Sequence, residues 1–296
     1  MRFKKIFITN ILIYNFKKIF INKYSPIILK DGLMAKKNKQ KDDYFQEEKS
    51  SILRSIGGLL SFSTILPLNI HTRIEVMAKL TWFWPMISAF VGLIGLGIAY
   101  LLNTLNFPYF LTATIIYSFF IWFNGFHHLD GLIDLGDALM AHGSPEKKIA
   151  IMRDSIIGTG GIGLFFIVAI ITIASLNSIL IMGPITVLLI CEMSGKLGLV
   201  SCCLSSQAGP DGTGRYFISS INPLNFIIIL SISLVIGYLL ANIVGIFGVI
   251  GGVFGGGLIS LIGKRNFIIA TGDVLGASNE IGRLFSLLFM LIMLII

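Results

Sequence analysis

Charge is what this chain has least of. Asp, Glu, Lys and Arg make up 13% of its 296 residues against 55% hydrophobic, and the mean hydropathy is +0.86, where a water-soluble domain carries about 25% charged residues. That shortage excludes an ordinary aqueous globule and predicts a polytopic membrane protein. Cysteine is scarce too. Cys191, Cys202 and Cys203 share one apolar segment, without the paired spacing or nearby histidines of a zinc site, and read as small buried hydrophobes. The net charge of +8 does not imply nucleic acid, because residues 1–50 hold twelve Lys/Arg against five Asp/Glu and leave eleven against ten for everything after. The body is nearly neutral, so no nucleic-acid partner is expected.

Residues 1–51 read as a basic N-terminal extension. It is either an amphipathic arm on an anionic lipid surface or sequence upstream of a true start at Met34; no small-residue cleavage site follows its apolar stretch, which argues against a signal peptide. Residues 52–296 form the membrane domain. A helix needs about 20 apolar residues to cross a bilayer, and the apolar windows place spans near 81–102, 108–126, 161–181 and 184–205, two more between Tyr216 and Gly263 turning near Asn242, and one in the run to Ile296. The expected fold is therefore an all-α helical bundle of about seven transmembrane helices. Residues 52–70 are interrupted by Gly57, Gly58 and Pro67 and suit an interfacial or re-entrant helix better than an eighth span. The glycines at 251, 252 and 255–257 suit close helix packing or a bend.

Lysine and arginine orient the bundle. Arg73 and Lys79 precede the first span, and the loops with Lys147, Lys148, Arg153, Arg215, Lys264 and Arg265 fall on the same side, while those near 103–107, 182–183 and 242 contain neither residue type. The positive-inside rule predicts a cell-membrane protein with its charged loops in the cytoplasm.

The acids are clustered on that side. If the second span continues as a helix past Phe126, Asp130, Asp134 and Asp137 lie within 40° of one another at 100° per residue, with His127 60° away. Like charges at such spacing repel and are costly beside hydrocarbon; a divalent cation answers both, and hard oxygen ligands suit Mg²⁺ or Mn²⁺ rather than zinc. The competing reading is a solvated loop paired with Lys147, Lys148 and Arg153. His127 and His128 point about 100° apart, and His127 is the better candidate for a ligand, base or phosphate donor. Arg153, Asp154, Ser155 and Gly158 lead into the third span, where helix-start amides favour an anion such as phosphate. Asp273 and Glu280 lie within 20° on the last helix, with Gly276 and Ala277 between them admitting a substrate or another helix; the alternative pairs Glu280 with Arg283 and makes Asp273 an N-cap. Glu192 and Lys196 have the spacing of an i, i+4 ion pair inside the fourth span, though Lys196 could meet a phosphate instead. Arg215, in a Gly-rich loop, could do the same.

Taken together these segments resemble the cobalamin synthase family, also called adenosylcobinamide-GDP ribazoletransferase. The resemblance rests on His128-Leu129-Asp130-Gly131-Leu132 with Asp134 and Asp137, Ile151-Met152-Arg153-Asp154-Ser155 with Gly158, Thr271-Gly272-Asp273-Val274-Leu275-Gly276-Ala277 with Glu280, and Phe62-Ser63-Thr64-Ile65-Leu66-Pro67. It departs from the family pattern at Ile65 and Lys196, where arginine is usual. The resemblance implies a Mg²⁺-dependent transferase that joins a ribose hydroxyl of α-ribazole, or of its 5′-phosphate, to the cobinamide phosphate of adenosylcobinamide-GDP and releases GMP. On that footing Asp130, Asp134 and Asp137 bind metal, Asp273 and Glu280 form a second carboxylate pair, Arg153, Lys196 and Arg215 contact phosphate, and His127 is the base. A homo-oligomer is compatible with this reading and not required by it. Two rivals stand beside it. The CDP-alcohol phosphotransferases begin Asp-Gly-x-x-Ala-Arg, which Asp130-Gly131-Leu132-Ile133-Asp134-Leu135 does not match; a cation or proton transporter would hold its acids near the midplane.

Overall fold

The computed structural model describes residues 52–70 and 72–296; the expectation for the N-terminal extension lies outside them. In chain order the helices are α1 (Ile52–Ser63), α2 (Ile74–Ala78), α3 (Trp84–Thr104, after a 3-10 turn at Thr81–Phe83), α4 (Tyr109–Phe123), α5 (His127–Met140), α6 (Pro145–Met152), α7 (Thr159–Met182), α8 (Val187–Ser205), α9 (Gly214–Ser220), α10 (Pro223–Phe267) and α11 (Gly272–Ile295). The fold is all-α, as the composition predicts. Five of these, α3 with its leading turn, α7, α8, α10 and α11, are long and apolar enough to cross a membrane.

Against the seven crossings expected from sequence, two local breaks decide the count: one divides α10, and the other bends the pair α4–α5, which adds a further crossing only when the two are counted together. Within the 45-residue α10, Ala241 (φ −150°, ψ 25°) and Asn242 (φ 50°, ψ −135°) leave helical geometry. The chain reverses there, because a Cβ added at Gly237 would lie 2.8 Å from the Gly245 carbonyl oxygen, two positions about 12 Å apart along a straight helix. α10 is thus a hairpin of two limbs, turning where Asn242 was expected to turn it. The other break separates α4 from α5, which are bent by 92°. Here the sequence reading is corrected: the helix does not continue past Phe126 but stops at Phe123, turns through Gly125 (φ 66°) and Phe126 (φ 61°), and restarts at His127. α5 therefore leaves the direction of α4. α1, 12 residues long, is too short to be a crossing segment.

α8 sits at the centre, buried along nearly its whole length between α3, α10 and α11. Glycine brings these backbones together, as the sequence suggested. A Cβ on Gly252 would lie 2.4 Å from the Ser194 carbonyl oxygen, and one on Gly255 2.7 Å from that of Ile281, the small-residue contact by which membrane helices pack. Large apolar side chains such as Phe90, Phe166, Ile170, Leu239 and Phe254 point outward, and all three cysteines are free and buried.

The bundle has two unlike ends. At one, Thr186 on the α7–α8 connection donates its hydroxyl to Leu240 O beside the α10 turn (2.7 Å). At the other, Lys148 Nζ donates to Asn266 Oδ1 (2.7 Å), Ala208 pairs with Ala270, and Ile65 N donates to Phe123 O (2.9 Å). Every basic loop residue assigned to the cytoplasm from sequence belongs to segments gathered at this second end. α1 is tied to it by Phe62, whose ring lies 5.3 Å from Phe217 and 6.2 Å from Trp84.

Candidate functional site

α5 is built to be approached closely on both flanks. A Cβ at Gly131 would lie 2.5 Å from the Asp273 carbonyl oxygen, and one at Gly136 would lie 2.8 Å from Gly161 Cα. The two glycines let α5 rest on the first turns of α11 and α7 at once. Gly276 completes the first contact, its added Cβ 3.3 Å from His128 Cα, so the small face of α11 receives another helix rather than a substrate.

The acids separate by environment. On α5, Asp130 is exposed and Asp134 half-buried. Burial, then Asp130, Asp273 and Asp137 in turn, push the Asp134 carboxyl up to about 7; three neighbouring carboxylates act on one group from two distant stretches of chain. Asp273, in the first turn of α11, lies within electrostatic reach of Asp130 and Arg153 and accepts from the Thr271 hydroxyl (3.2 Å). Thr271, not Asp273, is the N-cap, accepting from Val274 N at 3.4 Å.

Asp137 faces elsewhere. Its two oxygens accept the amides of Gly158 and Gly161, both at 2.7 Å. The anion expected at the start of α7 is thus this carboxylate of the chain itself, which takes the Gly158 amide from the predicted phosphate contacts and commits Asp137 to the turn. A carboxylate at a helix N-terminus satisfies orphan amides and the dipole. Asp137→Ala is expected to lower stability by about 1–2 kcal/mol, measured by unfolding in detergent, with most of the loss restored by Asp137→Asn.

Two further expectations are corrected. Glu280 does not share the mouth with Asp273: it is 2% exposed and pairs with Arg283, which also pairs with Glu192. The carboxylates flank one guanidinium because α8 and α11 present them from opposite sides. Ser88 Oγ (3.3 Å) and Asn124 Nδ2 (3.4 Å) donate to the other Glu192 oxygen, and Asn279 Nδ2 donates to Glu280 (3.1 Å). Nor do Glu192 and Lys196 pair. Lys196, 1% exposed, puts Nζ against His128 Nε2 and over the Trp84 ring at 4.9 Å, away from any phosphate at the mouth. His128 is thereby assigned to the interior, while His127 is exposed at the start of α5.

The remaining predicted phosphate contacts lie on exposed segments of the same end. Arg153 caps the C-terminus of α6, Asp154 accepts the Ile156 amide (3.2 Å) in a local turn, and Ser155 is exposed. Arg215 donates to Pro210 O (2.7 Å) and to the Tyr216 hydroxyl (2.8 Å), on a loop whose Gly214 abuts Gly272, 2.8 Å from an added Cβ to the Gly272 nitrogen. Sequence reasoning missed Asn124 and undervalued His128 and Arg283. Asn124 carried no visible signal, but an arginine within an apolar helix did, since it requires a partner at that depth.

Among the described residues no three His, Cys, Asp or Glu side chains are placed to hold a metal ion by themselves. Mg²⁺ rarely asks for that. It takes one or two carboxylates and completes its shell with water and substrate phosphate, and an all-oxygen set whose members raise one another's proton affinity fits such a shared ion. Cavities of about 300 and 390 Å³ lie elsewhere, one lined by Asn103, Tyr109 and Thr112 at the opposite end and one by Ser201, Phe254 and Lys264 on the flank; the acids face an open surface.

Comparison with known proteins gives one answer. A family model described as cobalamin-5-phosphate synthase matches residues 55–291. An adenosylcobinamide-GDP ribazoletransferase of Methanosarcina barkeri is 27% identical over 265 residues, covering 83% of this chain and 94% of the relative. Those of Picrophilus torridus and Clostridium botulinum are each 29% identical, covering 81% and 82% of this chain and 98% and 99% of theirs. No solved structure matches.

Proposed function

Since the chain belongs to the cobalamin-5-phosphate synthase family, we propose that it is a Mg²⁺-dependent transferase acting on adenosylcobinamide-GDP and α-ribazole or its 5′-phosphate at the α5–α11 junction. The observation that carries this is the convergence of Asp130 and Asp134 with Asp273, more than a hundred residues on, through the Gly131 contact. The reaction splits a pyrophosphate. A ribose hydroxyl forms the new P–O bond at the cobinamide phosphate, the bond to GMP breaks with its electron pair leaving on GMP, and the hydroxyl proton passes to a base.

Two carboxylates of the set Asp130, Asp134 and Asp273 would hold the ion, with substrate phosphate and water completing its shell. When bound, Mg²⁺ supplies charge neutralisation across the pyrophosphate and the departing GMP. Arg153 extends that positive potential from the Asp273 side, and Arg215 reaches the same surface on its loop. His127, exposed beside Asp130, receives the hydroxyl proton. Asp137 keeps α5 and α7 in register beneath the site and takes no part in the transfer. The basic loop residues at this end favour a cytoplasmic orientation by the positive-inside rule, which would suit nucleotide substrates.

The test is GMP release by the purified full chain in nanodiscs. With Mg²⁺, GMP should appear in proportion to the corrinoid product; chelation with EDTA should reduce turnover at least about a hundredfold, and restored Mg²⁺ should recover it. Turnover that survives EDTA, or that proceeds equally with a CDP-alcohol donor, would overturn the assignment.

A further inference from the structure

The turn that aims α5 is a glycine-capped helix end, Gly125 N donating to Trp122 O (2.9 Å) and Phe126 N to Ile121 O (3.0 Å), and it carries one strained residue beyond that cap. Gly125 and Phe126 both take positive φ (66° and 61°), and for a side chain as bulky as Phe the left-handed region costs about 1–2 kcal/mol. Such a conformation persists only where its surroundings over-determine it.

α8 supplies a contact on each side of the turn. Before it, Asn124, 3% exposed, donates Nδ2 to Phe120 O (2.8 Å), closing the end of α4, and to Glu192 Oε2 (3.4 Å). After it, in the first turn of α5, His128 Nε2 meets Lys196 Nζ. With Lys196 as an ammonium, which only donates, Nε2 is the accepting nitrogen and Nδ1 is buried without a hydrogen-bond partner among the described residues. Glu192 and Lys196 stand one helical turn apart on α8, and each also places a polar contact on the chain flanking the α4–α5 turn. Arg283 fixes the remaining Glu192 oxygen, and the indole of Trp84 backs Lys196.

We propose that Glu192 and Lys196 form a two-point clamp that locks the α4–α5 turn and thereby sets the direction in which α5 presents Asp130 and Asp134. Both are positioning residues; the consequence for turnover rests on the reading of those acids as the reacting site. Neither arm touches substrate, so each acts only through the orientation of α5.

Hydrogen exchange on the full chain in nanodiscs tests the clamp apart from the chemistry. Lys196→Met removes one arm and Asn124→Ala the other. Exchange of the amides at 127–140 should rise at least tenfold in each variant while that of α3 and α7 stays at the parent rate, and kcat should fall about tenfold with KM for both substrates within twofold. Lys196→Arg, which can still donate to His128, should recover both readouts. Parent-level exchange in α5, or an equal rise through every helix, would overturn the clamp. A rise confined to α5 with undiminished turnover would leave the clamp standing and sink the assignment of the acids, so the two ideas fail separately.

Discussion

Asp134→Asn is expected to reduce kcat for GMP release by about 10²–10³-fold, the usual loss when one electrostatic stabiliser is removed from a reaction centre, with little change in stability. The group is half-buried, and its neighbours Asp130, Asp273 and Asp137 push its proton affinity up. Neutral Asn removes that repulsion, so the variant should fold at least as well as the parent. The charge that would hold a cation is lost with it. Asp137→Asn is the matched control, because it neutralises an acid on the same helix whose oxygens are committed to Gly158 and Gly161 and should retain most turnover. Steady-state kinetics on the two variants, with unfolding midpoints alongside, separates the roles. Full activity in Asp134→Asn would remove it from the ion site.

The largest loss of stability should come from Arg283→Met, about 3–5 kcal/mol in reversible unfolding in micelles. Arg283 is 1% exposed and is the ion-pair partner of both Glu192 and Glu280, themselves 1% and 2% exposed. Its aromatic neighbours Tyr117 and Phe120, 5.9 and 5.7 Å from the guanidinium, cannot replace a cation for two carboxylates. Truncating one member of a buried ion cluster leaves uncompensated charge, whereas replacing the whole cluster by apolar or neutral groups of similar volume is often tolerated. The triple variant Glu192→Gln, Glu280→Gln, Arg283→Met should therefore regain most of the stability that the single change loses. If the single and triple variants are equally unstable, the loss is one of packing and not of charge.

The sequence carried the all-α membrane fold because the relevant signal is one-dimensional. A bilayer demands long apolar runs, and even the α10 turn near Asn242 followed from a run too long for one crossing. The alignment of Asp130, Asp134 and Asp137 was legible for a similar reason, since angles on a single helix need only spacing. Partner choice was not legible. Four residues separate Glu192 from Lys196, a spacing that favours a pair, yet both face the α4–α5 turn. Seven separate Asp273 from Glu280, yet one lies in the first turn of α11 and the other about 10 Å deeper along the axis, where Arg283 claims it. Periodicity tells which face a residue is on, but not what the neighbouring helix brings to that face. The 92° bend was hidden because Asn124-Gly125-Phe126 is too short an interruption to register against the apolar run before it.

The contact between Gly131 and the first turn of α11 also bears on how the molecule is made. α11 follows every other crossing in chain order, and it carries both Asp273 and Arg283. A ribosome-bound chain that has inserted only through α10 holds Glu192 in the membrane with no guanidinium to meet it, and α5 with nothing to rest against on one flank. One helix thus brings Asp273 to Asp130 and Asp134 and Arg283 to Glu192, so the acid cluster and the buried ion pairs are completed by the same element.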